Sequence, residues 1–140
     1  MPVEFIYNTP FNLENEKKTS EWLQKAIVSE NFSTGEIVYA FFNDEELKKL
    51  NNKHLGHNYY TDVISFNDSN EKVLSGNIAI SVDRVKENSV EFNSTFHEEM
   101  RRVMLHGLLH LMGYNDLIEK EKTEMRNKED EILSVFHVEQ

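Results

Sequence analysis

The chain has no cysteine among its 140 residues. That excludes disulfides, thiolate metal sites and thiol nucleophiles together, and it agrees with a reducing cytosol. Only two prolines and five glycines occur, too few for flexible linkers or a low-complexity segment. No apolar run approaches the roughly 18 residues that a membrane helix needs. Met1-Pro2-Val3-Glu4-Phe5 has neither the basic start nor the apolar core of a secretory signal. Positive charge is scarce too: 15 Lys and Arg face 25 acids, a formal charge of −10. Such a balance argues against loose, charge-driven binding to nucleic acid, where affinity comes from neutralising phosphates. RNA remains possible as a substrate, through a local basic patch, a bound metal ion or delivery by a partner. The expected setting is cytoplasmic, with no membrane and no DNA.

What is present suits one domain, residues 1–140, with one core. Period-two and period-3.6 stretches alternate, as in an α+β domain. Val3 to Tyr7, Glu36 to Phe42, Asp62 to Phe66 and Asn77 to Val82 read as strands. Asn15 to Glu30 reads as a helix with Trp22, Leu23, Ala26 and Ile27 on one face. Asn43 followed by Glu46 marks the start of a short helix bearing Leu47 and Leu50. Asn51 to Tyr60 is polar, carries Gly56 and is expected to be a loop; Asn67 to Asn70 is a turn cluster. A short helix is expected near Asp83 to Ser89. Thr95 and Glu98 form a capping box for a helix ending near Met112, and Gly113 stands where a left-handed residue would close it. Ile118 to Phe136 reads as a charged, largely exposed last helix.

Chemistry concentrates in His106-Gly107-Leu108-Leu109-His110-Leu111-Met112-Gly113-Tyr114-Asn115-Asp116. Histidines at i and i+4 share a helix face, roughly 5–6 Å apart at Cβ, and can reach one ion at about 2.0–2.1 Å each. Isolated, the pair is a weak signal, because helix histidines are often merely packed or exposed. Here Val103, Met104, Leu105, Leu108, Leu109 and Leu111 surround it, and burying two imidazoles without partners costs free energy. A turn at Gly113 can bring Asp116 to the same ion. Three protein ligands with room for a water is the catalytic pattern; structural zinc sites usually close with four. The metalloprotease motif has Glu directly after its first His. Gly107 occupies that position here, so a standard protease mechanism is not expected. No general base is legible.

The same residues resemble the YbeY endoribonucleases, whose segment reads H-G-x-L-H-L-x-G-Y-D-H. The match falls on His106, Gly107, Leu109, His110, Leu111, Gly113 and Tyr114. Tyr60 to Phe66 is similar to that family's P-T-D-V-L-S-F, and Gly76 to Ile80 to its G-D-I-x-I. The resemblance implies an α+β fold: a mostly parallel four-stranded (mixed) sheet, about five helices and a zincin-like metal helix. It implies Zn2+ and single-strand-specific endoribonuclease activity in 16S rRNA 3′ end maturation and late 30S quality control. rRNA or the 30S subunit, and small-subunit ribosomal proteins, are the implied partners.

The chain departs from the family pattern in three places. Asp116 stands where the third ligand is usually His, which makes the centre one unit less positive and the water it activates less acidic. It also opens the site to iron or other divalent metals. Asn115 replaces the usual Asp. Leu55 replaces an arginine of Y-R-G-K-D that is thought important for activity; Lys53, His57 and Arg84 are candidates to compensate, or are ordinary surface residues. Two other readings follow: a non-catalytic ribosome-assembly factor with a bracing metal, and, less favoured, a small metallopeptidase. His97 is out of phase with His106 and expected to face away, and His137 falls in a tail. Arg101 and Arg102 are read as a solvated face before an RNA contact. Thr61 and Ser65, on one side of the third strand, either line a cleft or pack against a helix.

Overall fold

Every second residue of strand β2 (Ser33–Phe42) is fully buried from Ile37 onward: Ile37, Tyr39 and Phe41. That alternation points one face of the strand into the main core. The structure is a computed structural model that describes residues 2–135. Its other strands are β1 (Val3–Tyr7), β3 (Val63–Asn67) and β4 (Val73–Ser81). The sheet order is β1-β2-β4-β3, with β1·β2 and β2·β4 parallel and β3·β4 antiparallel. The sheet is therefore mixed and mostly parallel, as expected.

Five helices complete the α+β fold: α1 (Glu16–Ser29), α2 (Asp44–Leu55), α3 (Val82–Glu91), α4 (Phe96–Leu111) and α5 (Glu119–Val135). On one sheet face, Leu23 and Ile27 of α1, and Leu105 and Leu108 of α4, join Ile37, Tyr39, Phe41, Ile78 and Ile80 in one fully buried cluster. Each such leucine removed from water contributes about 1.5–3 kcal/mol. Met125 and Ile132 extend the cluster along α5. On the other face, Leu47 of α2 packs on Ile64 and Ala79.

Several boundaries differ from the sequence reading: β2 begins at Ser33 rather than Glu36, and Asn67, expected in a turn, closes β3. The segment from Asn51 is not a loop at once, because α2 continues to Leu55 and stops at Gly56, whose φ of 69° is left-handed. Asn51 is itself buried on that helix. Strand β4 starts at Val73 rather than Asn77, because its early residues pair with Ser33 and Thr34 across an irregularity in β2. The expected last helix begins at Glu119; its expected end at Phe136, and His137, lie outside the described residues.

Helix α4 carries the histidines, and its position is tightly fixed. The capping box at Thr95 and Glu98 forms as read: Glu98 N–H donates to Thr95 Oγ1 at 3.1 Å, and Thr95 N–H to Glu98 Oε1 at 2.9 Å. Gly107 lets the helix backbone approach the sheet. A Cβ there would sit 2.7 Å from Ile78 Cγ2. The sheet then grips the helix through its carbonyls: Tyr39 Oη donates to Met104 O at 2.8 Å, Ser65 Oγ to Gly107 O at 2.8 Å, and Asn67 Nδ2 to Leu111 O at 3.2 Å.

Candidate metal centre

One helical turn separates His106 from His110, and their Nε2 atoms lie 3.1 Å apart. Beyond the helix, Gly113 has φ 101°, a conformation that glycine reaches without strain. The chain turns back there and brings Asp116 Oδ2 to 3.1 Å from His106 Nε2 and 3.5 Å from His110 Nε2. The structure thus brings His106, His110 and Asp116 together, all partly buried. Tyr114 anchors the turn by donating from its hydroxyl to Glu30 Oε1 at 2.7 Å.

The reason for this convergence lies in a residue the sequence reading placed on an exposed face. Glu129 of α5 is 3% exposed, and its Oε2 lies 2.6 Å from His106 Nδ1. A carboxylate so close holds the imidazole proton on Nδ1 and turns the Nε2 lone pair toward His110 and Asp116. Arg102 Nη1 donates to the other Glu129 oxygen at 2.8 Å, and Arg102 Nη2 to Asp130 at 2.8 Å. Arg102 is therefore not simply a solvated residue; it holds the carboxylate that holds His106. Burial pulls the His106 pKa down, but the hydrogen bond and charge of Glu129, then the charges of Asp116 and Asp62, outweigh it and leave it raised. A proton and a metal cation compete for the same Nε2 lone pair.

Whether a metal fits can be judged from the donor atoms. With the proton on Nδ1, His106 Nε2 is an acceptor, and it faces the carboxylate oxygen of Asp116, also an acceptor. A cation at the middle of the triangle satisfies all three atoms at once. Tetrahedral bonds of about 2.0–2.1 Å set ligand atoms about 3.3–3.4 Å apart, and the observed edges are 3.1, 3.1 and 3.5 Å. The residues fit a divalent ion.

Two cavities adjoin the histidines. One, about 370 Å³, reaches His106 and Asp116 and is lined by Asp62, Glu99, Arg102 and Glu129 among others. Burial is the largest cause raising the pKa of both Asp62 and Glu99 above the carboxylate norm. The other, about 420 Å³, reaches His110 and is lined by Leu55, His57, Tyr59, Thr61, Ser65 and Asn67 among others. Thr61 and Ser65 thus line a cleft, while the Ser65 hydroxyl also binds α4.

The remaining sequence candidates are placed clearly. Leu55 and His57 border the second cavity; Lys53 borders neither. Arg84 is committed elsewhere, at 2.7 Å from Asp44 and 2.6 Å from Glu87. His97 faces away from the centre and lies 3.4 Å from Glu14. Arg101 borders neither cavity. Gly107 points at the sheet, so the position of a metalloprotease's glutamate is closed off here.

A helix-borne His-His-Asp centre with an open side, on a mixed sheet, defines the class: a small α+β protein with the arrangement that hydrolytic metalloenzymes use. Comparison with known proteins makes this specific. Residues 7–137 match the family model described as Endoribonuclease YbeY. An Endoribonuclease YbeY of Flavobacterium johnsoniae is 46% identical over 138 residues, covering 99% of each chain. Another, from Christiangramia forsetii, is 44% identical, covering 99% of this chain and 96% of its own. The solution structure of TM1509 from Thermotoga maritima superposes with a TM-score of 0.65 at 28% identity, covering 94% of this chain and 87% of that one. The chain belongs to the YbeY endoribonuclease family.

Proposed function

We propose that the chain is a metal-dependent, single-strand-specific endoribonuclease acting in 16S rRNA 3′ end maturation and late 30S quality control. Zinc is the ion, and His106, His110 and Asp116 are its ligands. Residues 1–140 act as one hydrolase domain, in the cytoplasm where that substrate is found, with the 30S subunit and its small-subunit ribosomal proteins as partners. The single observation carrying the metal assignment is the convergence of three possible ligand atoms within 3.5 Å of one another. Family membership supports the RNA substrate.

When bound, the ion supplies Lewis-acid stabilisation of a phosphoryl oxygen and activates water. The rest falls to the chain's own side chains. Glu129 keeps a proton on His106 Nδ1 and so keeps Nε2 free. Arg102 fixes Glu129 from behind. The Tyr114 hydroxyl holds the turn that delivers Asp116. Gly107 keeps α4 against β4 and leaves the open side of the centre to solvent.

A second reading, an assembly factor whose metal only braces the turn after Gly113, draws on Leu55 in place of an arginine and on Arg84 being held by Asp44. Cleavage of unpaired RNA, with and without chelator, separates the two. Loss of cleavage in chelator and in His106→Ala and His110→Ala is expected. Undiminished cleavage by those variants, or by chelated wild type, would sink the proposal.

A further inference from the structure

The two cavities beside the centre differ in charge. The one at Glu129 is densely charged: four carboxylates, Asp62, Glu99, Asp116 and Glu129, outnumber Arg102, Lys122 and Arg126, and Arg102 is already paired with Glu129 and Asp130. The one at His110 has no carboxylate, lysine or arginine in its lining. It has two aromatic rings instead. His57 and Tyr59 lie stacked, with centroids 5.2 Å apart and planes at 16°. The Tyr59 hydroxyl is 3.1 Å from His57 Nδ1, and Tyr59 is 54% exposed. The pair is an open aromatic platform at the edge of a cavity that ends on a histidine of the centre.

The platform is held in place from beneath. Gly56 stops α2 and turns the chain outward. The buried Asn51 donates from Nδ2 to the Tyr59 carbonyl at 3.2 Å. Next along, Tyr60 bonds Glu45 and lies under the Lys48 ammonium, 4.5 Å from the ring centroid. Deeper polar groups are already engaged: Ser65 Oγ donates to Gly107 O, and Asn67 donates to Leu111 O while its Oδ1 accepts from Ser69 N–H.

We propose that this cavity is a nucleobase subsite, in which an unpaired base of the substrate strand stacks on His57 and Tyr59 beside His110. It rests on the endoribonuclease reading above. Every base offers a π-face, so stacking is tolerant of sequence. A chain of formal charge −10 gains little from phosphate neutralisation, and stacking supplies binding that does not depend on it. A base inside a duplex has no free face, so the requirement for unpaired RNA arises here.

The test uses the metal-loaded full chain with short unpaired uridine and adenosine oligonucleotides. Tyr59→Trp adds a reporter to the single, buried Trp22. Both oligonucleotides should quench its added fluorescence, while their paired duplexes and inorganic tripolyphosphate should not. Tyr59→Ala should weaken binding by about 5- to 100-fold, with the loss falling on KM, and Tyr59→Phe should restore it. Equal affinity and KM in Tyr59→Ala and wild type, with wild-type cleavage intact, would overturn the subsite and leave the endoribonuclease reading standing. A wild type that neither binds nor cleaves unpaired RNA would overturn both.

Discussion

His106 and Glu129 are 23 residues apart in sequence and 2.6 Å apart in space, Nδ1 to Oε2. The contact makes α5 part of the candidate metal centre without adding to its His-His-Asp set. Carboxylates in this position typically change metal affinity 10- to 100-fold when removed. Glu129→Gln should therefore weaken metal binding by about that factor in a chelator-competition titration, while α4 stays folded. Glu129→Ala also strips Arg102 of its buried partner and should cost about 1–3 kcal/mol of stability. Unchanged metal affinity in Glu129→Gln would remove the carboxylate from the centre.

Gly107 should tolerate no side chain. An added Cβ meets Ile78 Cγ2 at 2.7 Å and Val63 Cγ2 at 3.1 Å. Overpacking of this kind costs about 1–3 kcal/mol. Gly107→Ala should melt several degrees lower than wild type, about 2–4 °C for each kcal/mol. It should also loosen the two histidines, which ride on the same helix. A calorimetric scan beside a metal titration measures both, and a wild-type melting point would contradict the close approach of α4 to β4.

The charge of the centre can be altered at Asp116. Asp116→His replaces an anionic ligand by a neutral one and raises the local charge by one. The ascending limb of cleavage activity against pH should then move to lower pH. Asp116→Ala, which removes the ligand, should instead weaken metal binding. A pH profile that stays fixed in Asp116→His would place the acid outside the centre.

Alkaline stability should report the anchor of the metal-binding turn. The Lys128 ammonium, bonded to Glu131 at 2.6 Å and beside Glu30 at 3.3 Å, is pushed up to about 12, with the Glu131 bond the largest cause. The Tyr114 phenol is also pushed up to about 12, first by burial and then by its bond to Glu30. Both folded values lie above their unfolded ones. The stability they contribute is thus complete below about pH 10 and declines as pH rises toward 12. Unfolding free energies from pH 9 to 12 should fall through that window, and Tyr114→Phe should remove part of the fall. An identical slope in that variant would detach Tyr114 from the anchor.

The legible parts of the sequence were those with a local period or a local stop signal. β1 was read to the residue because Val3–Tyr7 is short and bounded by turn residues. The capping box and Gly113 framed α4, and spacing alone set His106 and His110 on one face. Glu129 was missed because a carboxylate inside a charge run looks solvated. A signal did exist: Met125, Glu129 and Ile132 fall at i, i+4 and i+7, and all three are buried. An acid on an apolar stripe needs a partner, and here it has two, His106 and Arg102. The continuation of α2 to Leu55 was hidden because Asn51 and the polar residues after it resemble a loop. Gly56 marked its end, not its middle.

The account turns on three side chains sharing one cation. X-ray absorption at the metal edge of the purified, metal-loaded protein tests this most directly, because it reports the element and its ligands together. The expected spectrum is zinc with two imidazole nitrogens and oxygen neighbours at about 2.0–2.2 Å, losing imidazole scattering in His106→Ala and in His110→Ala. Full metal occupancy with unchanged ligation in both variants would contradict it.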